Sequence, residues 1–153
     1  MTIEAPVSKF RIKNLIIYIL ILFAMGCWFA YDGYLNEKFI ADHTKNGKAD
    51  SSLVFNQKGP FILLAAIAAL TVYLFIIKNK KIIADDNQII ISKKLNIPYH
   101  SIEKIDKTHF NEKGGYFLIT YKDNRNNEQQ IKISDSKYDN LSAILDKLVE
   151  KIS

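Results

Sequence analysis

The sequence is poor in cysteine and arginine, and two long segments contain no charge at all. The single cysteine, Cys27, excludes an intramolecular disulfide, and with it the disulfide-rich scaffolds of small secreted proteins. Only 2 arginines accompany 19 lysines, a bias compatible with an AT-rich bacterial genome. A chain of 153 residues has the length of one soluble domain, but its apolar residues are concentrated in two runs.

The two charge-free runs are residues 15–31 and 61–77, each of 17 residues. As helices they would be about 26 Å long, close to the thickness of the hydrocarbon layer of a bilayer, so we predict two transmembrane helices. A core helix of a soluble protein would keep a polar edge, which neither run has. The first run is too long for a cleaved signal peptide, and the bulky Trp28 and Phe29 do not fit a small-residue cleavage site. We expect Pro60 in the first turn of the second helix.

Lysine and arginine next to the two runs predict their orientation. The cations that flank the runs are Lys9, Arg11, Lys13, Lys78, Lys80 and Lys81, whereas residues 32–60 carry balanced charges. Because positive flanks stay on the cytoplasmic side, we expect a multi-pass protein of the bacterial inner membrane with both termini cytoplasmic. Residues 32–60 would form an outside loop that turns near Asn46 and Gly47.

Small residues suggest how the two helices pack. Gly26 and Ala30 are four residues apart in the first run, as are Ala65 and Ala69 in the second. Such spacing favours close helix contact, either within this chain, between two copies or with a larger membrane protein. Neither run contains an ionisable Asp, Glu, Lys, Arg or His, which argues against an ion pathway formed by this chain alone.

After residue 80 the pattern changes to short strands and one helix. We predict strands at residues 81–84, 88–92, 105–110, 116–122 and 128–134. A helix should follow, with Asp135 or Ser136 as its cap. Its apolar stripe is Tyr138, Leu141, Leu145, Leu148 and Ile152. The expected fold class is α+β, with a transmembrane hairpin followed by an antiparallel sheet that one helix covers.

Residues 96–105 read Asn-Ile-Pro-Tyr-His-Ser-Ile-Glu-Lys-Ile and join the first strand pair to the later strands. With two apolar runs ahead of it, this arrangement resembles small bacterial two-span membrane proteins that carry a C-terminal pleckstrin-homology-like (PH-like) domain. The resemblance implies a small sheet or partial barrel with a C-terminal helix, and it implies no catalytic residue. The expected division is a hairpin at 1–80 and a cytoplasmic domain at 81–153.

The sequence offers little for catalysis or metal binding. His43, His100 and His109 lack the spacing of metal ligands, and no nucleophile elbow surrounds Ser101 between His100 and Asp106. Gly114 and Gly115 lack the lysine of a phosphate-binding loop. We therefore expect no enzyme, metal or cofactor, and no nucleic-acid partner because acidic residues interrupt the basic ones.

A cationic surface beside the membrane is the remaining candidate site. It would comprise Lys78, Lys80, Lys81, Lys93 and Lys94. The expected partners are the lipid bilayer and either another membrane protein or further copies of this chain. The favoured function is an accessory or scaffold subunit whose cytoplasmic module makes protein contacts. An immunity or defence protein acting against a toxin or phage factor, and a lipid-surface sensor, are the alternatives.

Overall fold

The computed structural model describes residues 2–92 and 95–152 and has an α+β fold. Its helices are α1 (Lys9–Tyr34), α2 (Glu37–Asp42), α3 (Ser51–Ile77) and α4 (Leu141–Ile152). Its strands are β1 (Ile3–Pro6), β2 (Thr44–Lys45), β3 (Lys48–Ala49), β4 (Lys81–Ala84), β5 (Gln88–Ser92), β6 (Leu95–Pro98), β7 (Ile102–Asp106), β8 (Tyr116–Lys122) and β9 (Glu128–Ser134). The chain forms a helical unit, Lys13–Ile76, and a sheet unit, Met1–Ile12 with Ile77–Ser153.

The helical unit is built on two long helices that expose their apolar side chains. Both α1, with 26 residues, and α3, with 27, are long and apolar enough to cross a membrane. In the most apolar 18-residue stretch of α1 no residue is buried, and in the corresponding stretch of α3 11% of the residues are buried. The two helices therefore do not form the core of a water-soluble fold within this chain.

The second long helix begins earlier than the sequence predicts. It starts at Ser51 rather than near residue 61, and Pro60 lies inside it instead of in its first turn. The Asp50 side chain caps this start, because its Oδ1 accepts from the backbone N–H groups of Ser52 and Leu53 at 2.9 and 3.0 Å. Apolar periodicity could not reveal these first turns, since residues 51–58 are largely polar.

The segment between the two long helices contains a short helix and a β-hairpin. Helix α2 is followed by the β2–β3 hairpin, which turns at Asn46 and Gly47 with φ values of 53° and 73°. Two consecutive positive φ angles are typical of a two-residue hairpin turn. The predicted turn at Asn46 and Gly47 is confirmed.

In the part of the chain that the structure describes, the sheet unit contains seven antiparallel strands in two sheets. One sheet has the order β1-β4-β5-β6 and the other the order β7-β8-β9. The predicted strands 81–84, 88–92, 116–122 and 128–134 are confirmed. The strand predicted at 105–110 instead covers Ile102–Asp106, because the Asp106 carboxylate accepts from the backbone and hydroxyl of Thr108 and turns the chain there.

A strand that the sequence did not predict lies ahead of the first long helix. Ile3–Pro6 pairs with Lys81–Ala84 in antiparallel register, and Ala5 is fully buried in the core of the sheet unit. The predicted division at residue 80 therefore leaves out a strand that the sheet unit contains. Residues 96–98 of the quoted motif also form part of a strand, β6, which pairs with β5.

Helix α4 starts at Leu141, so neither Asp135 nor Ser136 caps it. The chain from Ser134 to Asn140 first runs beside the N-terminal segment, where Lys137 accepts from the Ser8 N–H and Asp139 donates to Pro6. Tyr138 lies in an isolated bridge with Val7. The apolar side of α4 then covers the sheets, and its buried apolar residues are Leu141, Ile144, Leu145 and Leu148.

Candidate functional site

Glycines lie at close contacts between the two long helices. A Cβ at Gly33 would lie 2.7 Å from the backbone oxygen of Asn56, and a Cβ at Gly59 would lie 3.2 Å from the Phe29 ring. Phe29 and Phe55 pack edge to face with their centroids 5.3 Å apart. Close backbone approach of this kind needs small residues, as the sequence predicts, although Gly33 was not among those named.

The four predicted packing residues divide into two pairs. Gly26 and Ala30 are partly buried, and Gly26 faces Leu63, whereas Ala65 and Ala69 lie on the exposed side of α3. The residues of α3 that contact α1 include Phe55, Gly59 and Leu63 instead. Residues rotate by about 100° along a helix, so Ala65 points away from the side that Leu63 occupies. Because α3 is apolar on all sides, its sequence could not indicate which face makes the contact.

An apolar groove of about 180 Å³ lies beside this contact. Its lining residues are Phe23, Gly26, Cys27, Ala30, Pro60, Leu63, Leu64 and Ile67. Side chains of this chemistry can hold hydrocarbon, and they provide neither the charged groups nor the hydrogen-bonding partners that position a polar substrate.

Polar side chains join the helices where the connecting segment begins. The Tyr34 hydroxyl donates to the Gln57 backbone oxygen at 2.8 Å, and the Gln57 amide donates to the Gly33 backbone oxygen at 3.2 Å. The Asp32 carboxylate accepts from the indole of Trp28 at 2.7 Å and from Asn36 at 2.8 Å. These bonds stabilise the end of the helix pair.

The three histidines have separate surroundings. His43 Nδ1 lies 2.8 Å from Asp50, and His109 Nδ1 lies 2.9 Å from Glu112, while His100 lies in a 3₁₀ turn. Within residues 2–92 and 95–152, no group of three or more His, Cys, Asp or Glu residues could hold a metal ion. The Ser101 hydroxyl near His100 donates to the Pro98 backbone oxygen and so closes a turn.

The Asp85 carboxylate lies in the loop between β4 and β5. Backbone N–H groups of Asn87 and Gln88 donate to Asp85, and they hold the pKa of this carboxyl below its usual range. The Tyr99 hydroxyl donates to the Asp85 backbone oxygen at 2.8 Å. Burial raises the pKa of Tyr99 to about 12, and the charges of Asp85 and Asp86 add to this effect.

Three of the five lysines predicted at the membrane surface, Lys78, Lys80 and Lys81, are exposed. Lys93 and Lys94 lie outside the described residues. Lys81 Nζ lies 2.6 Å from Glu4, an exposed ion pair across the β1–β4 ladder. The structure adds Lys137, whose backbone oxygen accepts from Ser8, and no local pattern in the sequence places it there.

Comparisons of the chain with protein-family models, with curated proteins and with solved structures gave no match.

Proposed function

We propose that this chain is a two-span protein of the bacterial inner membrane, and that its sheet unit is a cytoplasmic PH-like interaction module serving as an accessory or scaffold subunit. One observation carries the proposal, namely the pairing of β1 with β4. The two strands flank the helical hairpin in the chain, so both ends of the hairpin are on the same side of the membrane. Two crossings satisfy this requirement, and the cations beside the helices favour the cytoplasmic side.

Helix length and surface support membrane insertion. At 26 and 27 residues, α1 and α3 are each about 40 Å long and exceed the roughly 30 Å hydrocarbon layer. Trp28, Tyr31 and Tyr34 are exposed near one end of α1, a position that aromatic side chains favour at the membrane surface. A cleaved signal peptide fits poorly, since cleavage would remove β1 and the buried Ala5 from the sheet unit.

The strand inventory supports a PH-like fold. A PH-like domain has seven strands and a C-terminal helix. Among residues 2–92 and 95–152, the sheet unit has one sheet of four strands and one of three, and α4 packs on their shared core. Strand β1 supplies the strand that residues 81–153 lack. The fold hosts many functions, so the role as an interaction module depends on the surfaces rather than on the architecture.

The topology can be tested with single cysteines in a Cys27→Ser background. We place one at Lys107 in the sheet unit and one at Lys48 in the connecting segment, both exposed. A membrane-impermeant maleimide should label Lys48→Cys in intact cells and Lys107→Cys only after the membrane is opened. The protein should also stay in the pellet after alkaline carbonate extraction. Labelling of Lys107→Cys in intact cells, or release by carbonate, would overturn the proposal.

The role as a subunit needs a separate measurement. Crosslinking in the native membrane, followed by purification in mild detergent, should recover one membrane protein in a fixed ratio to this chain. Recovery of this chain alone, with no increase in mass beyond the detergent and lipid, would exclude a stable accessory subunit.

A further inference from the structure

Three segments of the sheet unit meet at the N-terminal strand and bring cations together. The Val7 N–H donates to the Lys80 backbone oxygen at 3.1 Å, and the Ser8 N–H donates to the Lys137 backbone oxygen at 2.9 Å. Residues 80 and 137 therefore lie on opposite sides of the same short segment. We call the cations of these three segments the basic collar: Lys9, Arg11, Lys78, Lys80, Lys81 and Lys137.

The basic collar keeps an excess of positive charge. Acidic side chains bonded to it include Glu4, which pairs with Lys81 at 2.6 Å, and Asp139, which accepts from the Lys9 backbone N–H at 3.0 Å. These two carboxylates offset two of the six formal positive charges of the collar. Such a concentration attracts anions, and multivalent or surface-bound anions most strongly.

An exposed aromatic ring distinguishes this surface from an ordinary solvated one. Phe10 lies between Lys9 and Arg11 and is 71% exposed. The collar residues are also next to both long apolar helices in the sequence, since α1 begins at Lys9 and α3 ends at Ile77. Cations mixed with an aromatic ring at the end of an apolar helix are typical of the membrane surface. A free anion would gain nothing from Phe10, so these features favour a lipid.

We propose that the basic collar binds the phosphate groups of anionic phospholipids, which hold the sheet unit against the leaflet. This inference rests on the proposed membrane location. Two of its cations, Lys80 and Lys137, come from segments more than 50 residues apart that only the strand pairing brings to one place. The collar is therefore a property of the folded sheet unit and not of one basic run.

The test uses the full-length protein in an uncharged detergent and native mass spectrometry. The protein is titrated with phosphatidylglycerol, which is anionic, and separately with phosphatidylcholine, which is zwitterionic. The collar variant is Lys80→Gln with Lys137→Gln, and Lys45→Gln with Lys48→Gln in the β2–β3 hairpin is the matched control. We expect selective retention of phosphatidylglycerol. Each lysine near a charged lipid surface contributes about fivefold in affinity, so the collar variant should lose up to about 25-fold.

Three results would overturn the proposal. They are equal retention of the two lipids, an equal loss in the collar and control variants, and displacement of phosphatidylglycerol by millimolar inorganic phosphate, which would identify a soluble phosphate ligand. Carbonate extraction of the collar variant separates this proposal from the previous one. If the variant stays in the membrane but loses lipid selectivity, the location holds and the collar accounts for the binding; if it is extracted, the proposed location fails.

Discussion

Ala5 and Ile82 are partners in the β1–β4 ladder, and neither has any exposed surface. Ala5 precedes the first long helix and Ile82 follows the second, so the two ends of the helical hairpin share one hydrophobic core. Folding of the sheet unit thereby depends on the helical hairpin, because the sheet is complete only after the chain has brought the strands on either side of the hairpin together.

Replacing Ala5 by aspartate should unfold the sheet unit. The substitution buries a charge among apolar side chains and should lower the free energy of unfolding by about 3 kcal/mol or more. Protease digestion of the full-length protein in increasing urea would measure this loss. Thr2→Asp, at an exposed position of the same segment, is the control and should unfold like the unaltered protein. Equal protease resistance in Ala5→Asp would mean that β1 is dispensable.

Adding a methyl group at Gly33 should separate the long helices, whereas the same change at Gly26 should not. A Cβ at Gly33 would meet the Asn56 backbone oxygen at 2.7 Å, but at Gly26 its nearest neighbour would be Leu63 at 3.9 Å, an ordinary contact. We expect Gly33→Ala to lower the free energy of unfolding by about 1–3 kcal/mol. Gly26→Ala should leave it unchanged or raise it slightly. Thermal unfolding in detergent, followed by circular dichroism, compares them. Equal melting temperatures would contradict the observed contact.

The contact face of α3 can be separated from its exposed face by a second pair of variants. Leu63→Ala removes side-chain packing against Gly26 and should cost about 1–2 kcal/mol. Ala69→Leu enlarges an exposed residue and should change the unfolding of the isolated protein by no more than about 0.5 kcal/mol. A larger loss of stability in Ala69→Leu than in Leu63→Ala would mean that Ala65 and Ala69 form the packing face.

Tyr99 should make the sheet unit lose stability in strong alkali. Its pKa is about 12 in the folded protein against an ordinary value of 10.0, so the unfolded chain releases the proton first. The contribution of this group is complete below pH 10 and is lost as the pH rises toward 12. Tyr99→Phe lacks the bond to the Asp85 backbone oxygen and should cost about 1 kcal/mol at neutral pH. Urea unfolding at several pH values compares Tyr99→Phe with the unaltered protein. The difference between their free energies of unfolding should become smaller from pH 10 to 12, and a constant difference would refute this prediction.

Local pattern was sufficient for several elements. Period-two alternation predicted β8 with buried Phe117 and Ile119, and three-to-four spacing predicted the buried Leu141, Leu145 and Leu148 of α4. The predicted start of α4 was wrong. Residues 137–139 form hydrogen bonds with the N-terminal segment, and the helix begins after them rather than at a local cap. Lys78, Lys80 and Lys81 could be named from the sequence because they border an apolar run, whereas Lys137 is next to the N-terminal segment only through its hydrogen bond with Ser8.

The sequence by itself determined the two long apolar helices, the turn at Asn46 and Gly47, and most strands after residue 80, because each depends on neighbours within a few residues. Tertiary structure decided which side of α3 contacts α1, since every side of that helix is apolar. It also decided that Ile3–Pro6 is a strand and that Lys137 joins the basic collar. Those features depend on hydrogen bonds between segments more than 70 residues apart, and no local periodicity encodes such a partner.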